Sequence, residues 1–345
     1  MSAKVTSTAD VQARSFPIDI KYADTLKATR TRISELLEDT LTSDGLSAIC
    51  GASNVGKTAL VVSLAASIAL GAKWMNRQTQ VGLVLYIAAE SPSSVENRVL
   101  AYQEHYGLSI PNLVISGSRI NLFKDTKGAD DIIKTVKLLE KKHNQKVVLV
   151  IFDTLSLVIE GANENLGSDM GRVIENLDRI RRACGAHVSV VHHIGKQVDA
   201  GMRGWSGLFA AMDTVIMVAA TKQGSYAEIV KSRDLGCKGV RLGFGMEAIS
   251  IGETTFGKVA TACVAVPADA PAKGKGYGKV EAAILKFLKE HSESEISKAA
   301  IVQHFNGKLM KSSVYRAIKK LADDSEVVVT DDKVALASAV AGSEF

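Results

Sequence analysis

Residues Gly51-Ala52-Ser53-Asn54-Val55-Gly56-Lys57-Thr58 follow the spacing G-x-x-x-x-G-K-[ST]. They lie between an apolar run, Leu46-Ser47-Ala48-Ile49-Cys50, and a stretch from Ala59 to Leu70 that reads as a helix. A buried strand, a glycine loop and a helix in that order leave few folds open. The glycines let backbone N–H groups turn inward around a phosphate, and the helix N-terminus adds partial positive charge. Lys57 would reach the β- and γ-phosphates, and the Thr58 hydroxyl would ligate Mg²⁺. All eight loop residues, Gly51, Ala52, Ser53, Asn54, Val55, Gly56, Lys57 and Thr58, are therefore expected to hold a nucleoside triphosphate, ATP, with Mg²⁺. The loop alone does not say what the energy is used for.

The pattern around the loop alternates strand and helix. Val81 to Ile87 reads as a second buried strand, Pro92 to Tyr106 as a helix, and Leu113-Val114-Ile115 as a short strand. Asp130 to His143 is an amphipathic helix, Lys146 to Phe152 an apolar strand ending in Asp153, Asp169 to Cys184 a helix and His187 to His192 a strand. Thr214 to Ala220 and Tyr226 to Lys231 are strand-like additions at one edge, expected to be antiparallel. Continuous apolar strands separated by helices imply an α/β fold with a mostly parallel sheet covered on both faces. Before the loop, Ile33, Leu36, Leu37 and Leu41 fall on one helical face.

Composition shifts at Pro267-Ala268-Asp269-Ala270-Pro271-Ala272-Lys273-Gly274-Lys275-Gly276, where Pro, Ala, Gly and Lys dominate and no apolar period survives. Beyond it, Val280 to Lys289, Ser297 to Phe305 and Ser312 to Asp323 read as helices. Val327 to Val329 and Val334 to Leu336 read as a hairpin turned at Asp331-Asp332. Three helices and a hairpin in that span fit a winged helix-turn-helix. The expected organisation is an N-terminal arm or adaptor over 1–40, an ATPase core over 41–266, a flexible linker over 267–278 and the winged helix over 279–338.

The bulk numbers bound the class. The chain has 345 residues, 46 % hydrophobic and 23 % charged, with a formal net charge of +5. That permits nucleic-acid contact without demanding it. Cys50, Cys184, Cys237 and Cys263 are scattered with no zinc or redox spacing, which suits reduced thiols in the cytoplasm. No apolar run is long enough to suggest a membrane span, and the Met1-Ser2-Ala3-Lys4 start has no apolar signal core. No membrane partner is expected.

Further residues carry chemistry in this context. Asp153, closing an apolar strand, either holds Mg²⁺ beside the loop or caps the following helix. Glu90 either polarises the attacking water or caps the helix that begins near Pro92. His192-His193, at another strand end, either sense a γ-phosphate or form a histidine pair in the core or on the surface. Lys231 and Arg233, two apart on a strand, point to one side. They either reach into a neighbouring subunit's phosphate site or charge-protect an edge strand. Lys311, Arg316, Lys319 and Lys320 suit phosphate contact by the third C-terminal helix, or a solvated basic face.

The order of Gly51–Thr58, Glu90 in Tyr86-Ile87-Ala88-Ala89-Glu90-Ser91-Pro92, Asp153 in Phe152-Asp153-Thr154-Leu155, His193 in His192-His193-Ile194-Gly195-Lys196 and the segment Arg203-Gly204-Trp205-Ser206-Gly207-Leu208 resembles the RecA-fold ATPases. Within them it is most similar to the plasmid RepA-type hexameric helicases of the DnaB-like group, over roughly Leu46 to Gly245. The resemblance implies a RecA-like fold, Glu90 as the water-activating carboxylate, Asp153 as the Mg²⁺ acid and His193 as the phosphate sensor. It implies Lys231 and Arg233 as cations supplied in trans, Arg203 near a DNA-facing loop or subunit interface, and the loop 195–202 facing a central channel. Trp205 departs from the family pattern, and the C-terminal module is an addition to it.

These expectations converge on a homo-oligomeric ring, a hexamer, that hydrolyses ATP and acts on DNA, single-stranded in its channel, as a helicase or accessory replication ATPase. Two alternatives remain open at this level. One is a filament-forming recombination or repair ATPase, with Phe16-Pro17-Ile18-Asp19-Ile20 as its polymerisation strand. The other is a nucleotide-gated DNA-binding regulator.

Overall fold

The computed structural model describes residues 22–23, 33–193, 206–221, 223–271, 278–291 and 295–337. Arg203, the loop 195–202, the Phe16–Ile20 segment and residues 272–277 of the linker lie outside them. The chain divides into two units, Met1–Pro271 and Ala272–Phe345.

The first unit is organised by one nine-stranded sheet. Its strands are β3 (Leu46–Gly51), β4 (Leu83–Ala88), β5 (Leu113–Ser116), β6 (Val147–Asp153), β7 (His187–His193), β8 (Thr214–Thr221), β9 (Gly224–Ser232), β10 (Arg241–Glu253) and β11 (Val259–Pro267). They run in the spatial order β11-β10-β9-β8-β3-β7-β6-β4-β5. From β5 to β8 every pairing is parallel, and from β8 to β11 every pairing is antiparallel. The parallel part needs cover on both faces, which is why β3, β4 and β6 are buried along their whole length. This is the mostly parallel α/β architecture expected from the sequence, consistent with a RecA-like P-loop fold.

Two layers supply the cover. On one face lies α1 (Lys57–Leu70), whose circumference is almost wholly buried and which ends at Gly71 with φ 67°. A helix apolar all round is a core helix, and here α2 (Pro92–Tyr106) and the antiparallel strands close over it. On the other face lie α3 (Lys127–His143), α4 (Leu155–Val158), α5 (Gly167–Cys184) and α6 (Ser206–Ala211). The helices α3 and α5 start a few residues before their expected first turns.

The stretch holding Leu36, Leu37 and Leu41 is not helical. It forms a hairpin of β1 (Glu35–Leu37) and β2 (Leu41–Thr42). Asp39 takes a left-handed φ of 51°, and Thr40 N–H closes the turn on the Leu37 carbonyl at 3.0 Å. The spacing matches a helical stripe, but the backbone bonds go elsewhere. Glu38 N–H donates to Gln78 and Gln80 N–H to Leu36, both at 2.9 Å. The three leucines are fully buried, while Ile33 stays 47 % exposed.

Pro267, taken from sequence as the start of the linker, is still in the sheet, paired with Phe244. The chain remains packed through Pro271, because Ala268 N–H donates to the Gly243 carbonyl.

The second unit contains α7 (Lys279–Glu290), α8 (Lys298–His304) and α9 (Lys311–Asp323), with β12 (Ile296–Ser297), β13 (Val327–Thr330) and β14 (Lys333–Leu336). Its antiparallel sheet has the order β12-β14-β13. Ile284, Leu288, Ile301, Val314, Ile318, Leu321 and Val334 form its core. Ser297 caps α8 by accepting from Ala300 N–H at 3.2 Å, and the two-residue turn puts Asp331 at φ 55°.

Candidate active site

Parallel α/β sheets bind ligands beyond the carboxyl ends of their strands, and that crest is where the expected residues gather. Gly51 ends β3 directly against β8, where a Cβ would collide with the Val218 carbonyl oxygen. Asn54 and Gly56 take left-handed φ values of 65° and 93°, which curl the loop before α1 begins. Above it lies a cavity of about 240 Å³, lined by the loop and by Glu90, Asp153 and His193.

Lys57 is folded back onto its own loop. Its ammonium donates to the carbonyls of Gly51 at 2.9 Å and Ala52 at 2.7 Å, and it lies 3.0 Å from His193 Nδ1. Burial lowers the Lys57 pKa, while the negative charges of Asp153 and Glu90 raise it. An ammonium has only donors, so His193 Nδ1 is the acceptor. The imidazole proton then sits on Nε2, which faces Glu90 Oε2 at 3.3 Å. Lys57, His193 and Glu90 thus form one directed chain across the cavity. Glu90 is half exposed, and its backbone N–H is tied to the Asp153 carbonyl at 3.1 Å. It lies two residues beyond the end of β4.

Asp153 is 3 % exposed. Its carboxylate accepts from Tyr86 Oη at 2.6 Å and from the Thr58 hydroxyl. Burial raises its pKa; the bonds from Tyr86 and Thr58 lower it, Glu90 raises it and His193 lowers it. The Thr58 hydroxyl and the Asp153 carboxylate are hard oxygen donors sharing one corner of the cavity, which fits Mg²⁺ held by few protein ligands and by phosphate. Among the described residues no cluster of three His, Cys, Asp or Glu side chains could hold a metal by itself.

A family model described as AAA domain matches residues 13–199, more than half of the chain. The chain belongs to this AAA-domain family of P-loop ATPases. It is a nucleotide-hydrolysing P-loop protein. No curated protein matches the chain.

In this AAA-domain ATPase the paired histidines separate. His193 enters the cavity, whereas His192 is buried toward the other face, 3.8 Å from Glu164, with its pKa pushed down to about 4 by burial. Lys231 and Arg233 do not line the phosphate cavity of their own chain. Lys231 donates to the carbonyls of Phe209 at 2.7 Å and Ala210 at 2.9 Å. Arg233 donates to Asp213 at 2.5 Å and to Ala210 at 3.0 Å. Both grip the C-terminal end of α6, the helix that follows the segment holding Arg203. In the second unit Lys311, Arg316, Lys319 and Lys320 are all exposed on α9, and Lys320 pairs with Glu281 at 3.4 Å.

Several cavity residues were not singled out from sequence. Ser94 and Arg98 line it from α2, with Arg98 donating to the Ser94 carbonyl at 2.7 Å. They follow Glu90 by four and eight residues, a helical spacing that could have flagged them. Met246 comes from β10 and lies beside Gly56; nothing local in sequence marks it. Tyr86, in a run of apolar residues, reads as core. No helix among the described residues is long and apolar enough to cross a membrane.

Proposed function

We propose that this ATPase is a DNA-acting motor that hydrolyses ATP at the interfaces of a homo-oligomeric ring, a hexamer, as a helicase or accessory replication ATPase. The observation that carries the hydrolytic part is the Lys57–His193–Glu90 chain. Lys57 exchanges its loop carbonyls for the β- and γ-phosphates. Glu90 orients the attacking water and accepts its proton, and His193 links the two and registers whether the γ-phosphate is there. Mg²⁺, when held by Thr58 and Asp153, neutralises charge on the phosphates.

The oligomeric part is supported by Lys231 and Arg233. They form a cation pair ordered outside their own cavity and anchored to α6. A cation used by the next subunit requires a head-to-tail interface, which gives a ring where the rotation closes and a filament where it does not. Arg203, between β7 and α6 in the sequence, would serve a DNA-facing loop or the subunit interface. The second unit is read as a winged helix-turn-helix joined by a linker.

The test is mass photometry with ATP and Mg²⁺, together with ATPase assays with and without single-stranded DNA and unwinding of a forked duplex. A hexamer stimulated by DNA is expected. A monomer with neither stimulation nor unwinding overturns the motor reading. Electron microscopy separates a ring from the filament of a recombination ATPase. The exposed basic face of α9 also favours a second reading, a nucleotide-gated DNA-binding regulator. Sequence-selective duplex binding by the full chain would support it.

A further inference from the structure

Tyr86 has a hydroxyl in a place where packing alone needs none. The residue is fully buried in the cluster between the sheet and α1, among Ile49, Leu149 and Ile151. A phenylalanine there would fill nearly the same space with no polar atom to satisfy. Tyr86 stands two residues before Ala88, the residue that pairs with Asp153 across β4 and β6. Alternation along the strand puts the Tyr86 and Ala88 side chains on one face. The phenol therefore reaches diagonally along the sheet to the end of β6, where its oxygen lies 2.6 Å from Asp153 Oδ2.

Among the described residues the carboxylate it meets has one further side-chain donor. Asp153 is the last residue of β6, and the terminal torsion of an aspartate is broad rather than locked into narrow wells. The Thr58 hydroxyl is the other side-chain donor to Asp153, and that hydroxyl belongs to the residue expected to hold the metal. A donor rooted in the core can fix the carboxylate whether or not Thr58 is engaged. Outer groups of this kind set the orientation of metal-holding side chains and their affinity.

We propose that Tyr86 is a positioning residue for the metal corner of the site: its hydroxyl fixes the Asp153 carboxylate so that the remaining acceptor capacity faces Thr58 and the cavity. The inference rests on the ATPase reading above and deepens it. It assigns Tyr86 to the metal and not to the nucleotide itself.

That distinction sets the test. Affinity for a fluorescent ADP is measured at equilibrium, without turnover, in Mg²⁺ and in EDTA, for wild type and Tyr86→Phe. The Mg²⁺-dependent gain in affinity should shrink about tenfold in Tyr86→Phe, in the range seen when such outer groups are removed. Affinity in EDTA should not change. ATPase activity should need correspondingly more Mg²⁺ for half-saturation and recover when Mg²⁺ is raised. An unchanged Mg²⁺ gain in a folded Tyr86→Phe overturns the proposal, as does an equal loss with and without Mg²⁺. If Tyr86→Phe does not fold, Tyr86→His and Tyr86→Leu are compared, since only the first keeps a ring donor. The histidine variant should retain more of the Mg²⁺ gain, and equal behaviour overturns the assignment. A wild-type protein that binds no nucleotide in Mg²⁺ defeats the ATPase reading instead, and a Lys57→Ala control that loses binding upholds it.

Discussion

Arg233 is bound to Asp213 at 2.5 Å, and the same carboxylate accepts the Leu46 N–H at 2.9 Å. Leu46 opens β3, the strand that delivers the phosphate loop. The proposed trans cation of one subunit is thus wired, through one aspartate, to the start of the strand that carries that subunit's own loop, at the end away from the loop. A second cation, Lys231, holds the same helix end. The pair is preorganised without touching its own cavity.

Replacing Arg233 with alanine should therefore leave each subunit's nucleotide site intact and remove turnover. Loss of a transition-state cation of this kind costs about 10³-fold or more in kcat, while nucleotide affinity should stay near wild type. A mixture supplies the decisive arm. Arg233→Ala subunits keep a good loop, and Lys57→Ala subunits keep a good cation. Each variant alone should be inactive, and the mixed oligomer should regain activity at interfaces that combine the two intact halves. Normal turnover by Arg233→Ala, or no recovery on mixing, would remove the trans assignment.

Glu90→Gln keeps the shape of the side chain and its reach to His193 but removes the proton acceptor. Turnover should fall about 10²- to 10⁴-fold, and ATP should remain bound and uncleaved. Filter binding of labelled ATP, followed by chromatography of the bound nucleotide, reads the two outcomes separately. Persistent phosphate release would move the water-activating role to another residue.

What could be read from the chain divides along physical lines. The strand-loop-helix at Leu46–Leu70 was legible because the glycine spacing is imposed by a phosphate, and the apolar strands because burial on both faces makes them near-continuous apolar runs. The Leu36–Leu41 hairpin was misread because four apolar residues at helical spacing match a stripe equally well. The choice was made by Gln78 and Gln80, forty residues away, which take the backbone bonds. Strand β12 is too short to carry a period. Tyr86 was invisible for a different reason. Its neighbours on β4 are all apolar, and only the parallel register that sets Ala88 beside Asp153 gives its hydroxyl a purpose.

Acid should destabilise the first unit through His187. This imidazole is fully buried, donating from Nδ1 to the Thr42 carbonyl at 2.7 Å and meeting the Ser47 hydroxyl at Nε2 at 2.8 Å. It thereby ties the N-terminal hairpin to the sheet. Burial pushes its pKa down to about 4; the Thr42 bond, Asp213 and Asp44 pull upward and Arg181 downward. The folded state therefore prefers the neutral ring, and the unfolded chain binds the extra proton. The stability tied to neutrality is complete above the ordinary histidine value of about 6.5, is lost as pH falls from there toward 4, and levels off below. The full difference is roughly 3 kcal/mol. His192 titrates in the same window, so His187→Gln should flatten part of the slope. Urea midpoints from pH 7 to pH 4 measure it, and an identical slope in the variant would show that His187 is not the group responsible.

The basic face of α9 gives a charge-counting test of DNA contact. Lys311, Arg316 and Lys319 are exposed, and Lys311 lies 6.0 Å from the ring of Tyr315. Lys320 is already paired with Glu281. If the first three meet phosphates, each releases counterions, and each contributes about 0.9 to the slope of log affinity against log salt for duplex DNA. The triple alanine variant of the full chain should therefore lose affinity for duplexes of any sequence and lower that slope by roughly three. Lys320→Ala should change it far less. ATPase activity without DNA should be untouched, because these residues belong to the second unit and not to the phosphate cavity. Fluorescence anisotropy across a salt series reads the slope directly, and a triple variant with the wild-type slope would make this face a solvated surface with no part in DNA binding.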